Sequence, residues 1–230
     1  MIRASPRFFT VRTVQASLRS YATAHTSKSE VDLPRQILER GLQLLPEHGW
    51  DLAPATRSLG LSDQAASIFP NGKFDLLQFY LQKQTAKLAS VQLKSSTPDG
   101  CVRELVHARL LANAELGPYL GEAVSMLMSP KYLPYSLEQL HNLVDEIWFL
   151  AGDKGHDATW YTRRGSLAMI YAASESFMTR DNSPNFKHTL SFCDRQLNAW
   201  SRFEAAEESV SEWFKFNAIA AFNVAKSLTR

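Results

Sequence analysis

Cysteine is nearly absent from this 230-residue chain: Cys101 and Cys193 lie far apart, with no CxxC pair and no zinc-ligand spacing. That excludes a disulfide framework and leaves two buried thiols in a reducing compartment as the plain reading. No apolar run approaches the roughly 20 residues that cross a bilayer. Alternating β-branched runs are missing as well, so nothing signals half-buried strands. GxSxG, HExxH, GxGxxG and the Walker loop do not occur, which removes the usual signatures of serine hydrolysis, zinc proteolysis and nucleotide binding.

Acidic residues are missing from positions 1–29, which carry Arg3, Arg7, Arg12, Arg19 and Lys28 among Ser, Thr and Ala. This is the composition of a mitochondrial transit peptide, with Arg19-Ser20-Tyr21-Ala22 as the expected processing site. Cleavage after Tyr21 removes four of the 25 basic residues and leaves 21 against 23 acidic ones. Bulk charge then offers no attraction to a polyanion, and no nucleic-acid partner is expected.

Apolar residues recur at spacings of three and four almost throughout, which predicts an all-α protein. Pro34 opens a helix with Ile37, Leu38, Gly41, Leu42 and Leu45 on one stripe. Short helices follow over 54–59 and 62–69, then a helix over 74–91. Thr97 and Pro98 supply a cap and a first-turn proline for a helix that Gly117-Pro118 breaks. A further helix covers 119–128, residues 129–134 read as extended, and Ser136 with Gln139 reads as a capping box for a helix to Ala151. After a turn, the stretch DATWYTRRGSLAMIY starts a long helix to Arg180, and Ser183-Pro184 starts the next. Residues one and two apart cannot share a helix face, so some of Trp160, Tyr161, Arg163 and Arg164 must look outward.

Residues 203–228 are expected to form an amphipathic helix whose greasy side is unusually wide. Trp213 and Phe214 lie on its stripe, while Phe216, Ile219 and Phe222 extend it towards the flanks. These five are expected to bind a membrane surface, where Trp and Phe favour the headgroup boundary. Plain packing on the domain is the other reading of this helix.

Residues 37–77, ILERGLQLLPEHGWDLAPATRSLGLSDQAASIFPNGKFDLL, resemble the DNA-binding half of TetR-type regulators. The resemblance implies a TetR-like fold with Leu61 to Phe69 as recognition helix and Lys73 on phosphate. The segment between Gly49 and Gly60 is about four residues short of the pattern, and the recognition segment has no lysine or arginine. Phosphate neutralisation and base reading both lean on such residues, and only Gln64 is left to read a base.

The stretches MLMSPKYLPYSLEQLHNLVDEIWFLAGD, WYTRR and DNSPNF, within 126–200, are similar to the mitochondrial accessory family of ubiquinone biosynthesis. That resemblance implies a non-enzymatic, cofactor-free, lipid-binding protein of the matrix side of the inner membrane. It implies a homodimer that serves demethoxyubiquinone hydroxylase and the ubiquinone-biosynthesis complex by offering isoprenoid lipid. The implied docking patch is Asp145, Ile147, Trp148, Leu150, Trp160, Tyr161 and Arg164. Apolar periodicity puts Leu127, Met128, Met169, Tyr171 and Phe177 along the expected lipid pocket, with plain core packing as the other reading of each. The implied organisation is a transit segment over 1–29, a degenerate helix-turn-helix over 33–92, a lipid-binding and docking region over 97–201, and the membrane helix.

Two alternatives stand beside it. One is a TetR-type DNA-binding regulator. The other is a di-iron carboxylate enzyme, because Glu104/His107 and Glu138/His141 are both Glu-x-x-His pairs, and Glu39, Glu122 or Glu175 could complete such a bundle.

Overall fold

A computed structural model describes residues 32–153 and 158–206. The transit-peptide expectation for 1–29 and the membrane expectation for Trp213, Phe214, Phe216, Ile219 and Phe222 lie outside the described residues. The chain divides into two contact units, Met1–Gln36 and Ile37–Arg230. In the first, Asp32 receives the backbone N–H groups of Arg35 at 3.4 Å and Gln36 at 3.0 Å, which starts the first helix.

Eight α-helices are present among the described residues: α1 (Leu33–His48), α2 (Ala53–Ser58), α3 (Lys73–Lys87), α4 (Pro98–Ala112), α5 (Leu120–Leu127), α6 (Leu133–Leu150), α7 (Ala158–Met178) and α8 (Lys187–Ala206). Short 3₁₀ turns punctuate them, and no strand occurs among these residues.

Local chemistry explains most boundaries. Thr97 caps α4 by accepting the Gly100 N–H at 3.2 Å, and Pro98 takes the first helical turn. Gly117, at φ +50°, breaks the 3₁₀ run over Asn113–Tyr119 and lets α5 leave in a new direction.

Residues 129–132 are not extended. The Ser129 carbonyl accepts the N–H groups of Tyr132 and Leu133, each at 2.9 Å, and this turn lays Tyr132 flat on the buried Phe74 ring with centroids 4.0 Å apart. Helix α6 therefore begins at Leu133 with Pro134 in its first turn, and Ser136 is already helical. Its hydroxyl donates to the Tyr132 carbonyl at 3.1 Å, so the expected Ser136/Gln139 capping box does not form and Glu138 lies beyond the first turn.

The core of the second unit falls into two apolar clusters. One gathers Ile37, Leu45, Trp50, Phe74, Leu77 and Val124 from α1, α3, α5 and the turn after α1. The other gathers Leu105, Val144, Ile147, Trp148, Ile170 and Trp200 from α4, α6, α7 and α8. Tyr80 donates to the Ala112 carbonyl at 2.9 Å, tying α3 to the end of α4.

The turn after α1 depends on Gly49, which has φ +63°; a Cβ there would stand 2.8 Å from the Tyr119 ring. Beside it Trp50, 1% exposed, donates its indole N–H to the Tyr119 carbonyl at 3.3 Å. Gly49→Ala is expected to lower the unfolding free energy by about 2 kcal/mol, from the left-handed backbone and the ring contact together, as measured by urea denaturation.

The approach to α8 is set by Asp181. Its carboxylate accepts the Ser183 N–H, the Thr189 N–H and the Thr189 hydroxyl at 2.8, 2.8 and 2.7 Å. Burial alone would raise its pKa, but these donors hold it well below the usual carboxylate range. Because the folded value is the lower one, the stabilisation is complete above the unfolded value of about 3.9 and fades as the pH falls below it. Asp181→Asn should cost stability at neutral pH, with the difference from wild type shrinking below about pH 4 in pH-dependent denaturation.

Candidate functional site: a cavity between two cores and an aromatic ledge

Where the two clusters meet they leave a cavity of about 180 Å³. Val124 on its wall belongs to the first cluster, and Leu143 and Tyr171 to the second. Leu81 of α3, Leu127 of α5 and Leu140 of α6 make the wall mainly apolar. Met128, Leu133 and Leu137 also line it while being 39%, 44% and 56% exposed, so greasy side chains stand at its opening.

Three of the five expected pocket residues, Leu127, Met128 and Tyr171, line this cavity. The other two do not, which corrects the expectation for them. Met169 packs against the second cluster, and Phe177 stacks on Phe192 with centroids 5.0 Å apart and remains 39% exposed. The three residues chosen on α7 do not share one face: Tyr171 lines this cavity, and Met169 and Phe177 do not.

The cavity also has polar wall residues that periodicity could not find. Arg109, 1% exposed, donates from Nη1 to Asn113 Oδ1 at 2.5 Å. Asn113 Nδ2 and the Tyr171 hydroxyl donate to Glu175 Oε1 at 2.7 and 3.0 Å. Arg109, Tyr171 and Glu175 all line the cavity. Burial holds the Tyr171 phenol well above its ordinary pKa, so it remains a neutral donor. The signal in the sequence was a lone arginine on the apolar face of α4, between Val106 and Leu110.

A second feature lies where α6 ends and α7 begins. Arg164 is 7% exposed; its Nε donates to Asp145 at 2.8 Å and its Nη1 to Asp153 at 3.2 Å. Its guanidinium covers the half-buried Trp160 ring at 3.8 Å, a cation–π contact. Tyr161, 76% exposed, stands edge-on to Trp160 with centroids 4.7 Å apart. Phe149, 69% exposed, and the half-buried Leu150 come from the end of α6.

Burial divides the expected docking patch. Asp145, Leu150, Trp160 and Tyr161 keep accessible surface. Ile147 at 0% and Trp148 at 5% belong to the second cluster, which corrects their assignment to a contact surface, and Arg164 braces the patch from beneath. Sequence reasoning missed Phe149. With Val144, Ile147 and Trp148 committed to the core at helical spacing, residue 149 had to face out.

The di-iron alternative loses its ligands. Glu104 accepts the backbone N–H groups of Lys94 and Ser95 at 2.8 and 3.1 Å, His107 stands 3.0 Å from Asp194, and Glu138 and His141 are exposed. No three metal-binding side chains converge among the described residues. The DNA-reading alternative loses its element too. The segment expected as a recognition helix is a six-residue 3₁₀ turn, Asp63–Ile68, and Lys73 is paired with Glu122 at 3.0 Å.

The class of fold is that of TetR-like helical proteins. The chain superimposes on a TetR transcriptional regulator from Nitrosomonas europaea with a TM-score of 0.54 at 18% identity, covering 73% of this chain and 98% of the other. Identity at that level speaks to fold alone.

The chain belongs to the COQ9 family, whose model matches residues 133–204. It is 33% identical over 197 residues to the ubiquinone biosynthesis protein coq9, mitochondrial, of Schizosaccharomyces pombe, covering 83% of this chain and 79% of that one. It is 34% identical to the rat and human proteins named ubiquinone biosynthesis protein COQ9, mitochondrial, over 74% of this chain but only 59% and 58% of theirs.

The two partners of Arg164 differ in burial, and the difference sets what each contributes. The Asp145 side chain is 51% exposed and the Asp153 side chain 9%. Arg164→Met should cost about 3 kcal/mol, because it strips the nearest cation from a buried carboxylate, whereas Asp145→Asn should cost under about 1 kcal/mol. Chemical denaturation of the two variants tests this order.

Proposed function

We propose that this protein is a non-catalytic accessory of ubiquinone biosynthesis that holds a polyisoprenoid quinone intermediate and presents it to demethoxyubiquinone hydroxylase. The observation that carries the reading is the apolar cavity between the two cores, with greasy side chains exposed at its opening. The names of the relatives supply the pathway and the mitochondrial compartment.

Moving a long isoprenoid off a bilayer costs about 0.8 kcal/mol for each CH₂ exposed to water. A cavity of about 180 Å³ takes a ring or a short stretch of tail, not a whole polyisoprenoid. Most of the tail therefore stays in contact with the membrane, or with the protein surface beside Met128, Leu133 and Leu137. In this reading the protein works at the matrix face of the inner membrane, with residues 203–228 as the attachment and a homodimer as the working state.

The ledge of Phe149, Leu150, Trp160 and Tyr161 serves as the hydroxylase dock. Exposed aromatic side chains braced by an arginine have the composition of interface hot spots, and truncating one commonly costs about 2 kcal/mol of binding.

The test has two parts. Protein purified from its own mitochondria should carry isoprenoid quinone or quinone precursor on lipid extraction and mass spectrometry; an empty or phospholipid-only protein would sink the reading. Tyr161→Lys should weaken hydroxylase capture at least tenfold in a pull-down titration while the thermal transition stays within a few degrees of wild type, because Tyr161 is mostly exposed.

A further inference from the structure

The buried polar group beside the cavity has an unmet bond. Arg109 spends Nη1 on Asn113, yet its Nε–H has no acceptor among the described residues. A donor buried without a partner costs about 1–3 kcal/mol, more when it is charged. Fixed polar groups of this kind in an apolar pocket are what orient a small ligand.

We propose, resting on the lipid-binding reading above, that this cavity is a head-group site: Arg109 donates to the carbonyl or hydroxyl oxygen of a neutral oxygenated ring, and the tail leaves past Met128, Leu133 and Leu137.

Volume supports a ring. An apolar cavity of about 150 Å³ holds one benzene, and this one measures about 180 Å³.

Charge supports a neutral ring. Arg109 is linked through Asn113 to Glu175, so the wall already holds one cation and one anion. A phosphate head would bring its charge towards Glu175 in a medium where like charges repel strongly, whereas a quinone carbonyl or a phenol adds none. The Tyr171 hydroxyl, which donates to Glu175 Oε1, and the Ser136 hydroxyl, which donates to the Tyr132 carbonyl, belong to lining residues whose oxygens are left to accept, so they suit a hydroxyl on the ring and not a second carbonyl.

The experiment compares three probes with the same ten-carbon tail: decylubiquinone, decylbenzene and decyl phosphate. Each is titrated into the full chain and followed by tryptophan fluorescence and native mass spectrometry. Wild type should bind decylubiquinone at least tenfold more tightly than either of the others. Arg109→Met should lose about tenfold for the quinone and keep its affinity for decylbenzene, the size expected for one charged hydrogen bond.

Equal quinone affinity in wild type and Arg109→Met overturns the proposal, as does a wild type that prefers decyl phosphate or fails to prefer quinone over decylbenzene. In each of these cases binding of decylbenzene leaves the lipid-binding reading standing. If wild type binds none of the three, that reading falls and the proposal falls with it. Should Arg109→Met fail to fold because Glu175 loses its counter-charge, the double variant Arg109→Met/Glu175→Gln removes both charges and is read the same way.

Discussion

Helix α6 carries more apolar residues than any single contact can absorb, and at 3.6 residues per turn it must share them among several surfaces. Val144, Ile147 and Trp148 go to the second core cluster. Leu133, Leu137 and Leu140 go to the cavity, and Phe149 is left in solvent. The cavity and the ledge are thus two consequences of one helical repeat. A strictly amphipathic α6 would have buried its stripe and offered neither. The surplus only becomes usable because the helix starts at Leu133, where the 129–132 turn anchors Tyr132 on Phe74; a later start would remove Leu133 from the cavity wall.

Two buried arginines define the two sites, and their hydrogen bonding separates their roles. Arg164 meets two carboxylates and has the Trp160 ring against the face of its guanidinium, which is the arrangement under which burying a guanidinium is tolerable. It fixes the angle between the end of α6 and the start of α7, and so the relative places of Phe149 and Tyr161. Arg109 is buried more deeply but reaches its anion only through Asn113, and one donor is left over. A satisfied buried charge is explained by structure alone. An unsatisfied one beside a cavity asks for something to fill it.

Much of the helix order was legible in the sequence, because capping and helix breaking act over three or four residues. Thr97 with Pro98 and the Gly117-Pro118 break are of that kind. Ser136 shows the limit: its pattern is a sound cap, but Pro134 two residues earlier and the stacking of Tyr132 on Phe74 start the helix sooner. The site was legible in part for a related reason. Periodicity finds which helix faces are apolar without saying which neighbour each face meets, so Leu127, Met128 and Tyr171 line the cavity while Met169 and Phe177 face other neighbours. Arg109 and Glu175 come from helices far apart in sequence, and their joint placement was beyond any local pattern.

The relation to DNA-binding proteins of the same fold turns on charge. The likeness to a TetR regulator covers nearly all of that chain, yet here the segment in the recognition position is a 3₁₀ turn with one acid and no base, Asp63–Ile68, and that acid pairs with Arg57 at 3.1 Å. Lys73, in the phosphate-facing position of the pattern, is drawn to Glu122 at 3.0 Å. Each ion pair is exposed and contributes under about 1 kcal/mol, so neither was needed to hold the fold. Their effect is on the outside: they cancel positive charge where a polyanion would have to bind, and affinity for DNA depends on such charge being available. What the scaffold keeps is a way of bringing helices together around a gap, and the chemistry lining that gap, one cation, one anion and a wall of hydrocarbon, suits a greasy molecule with a single polar end.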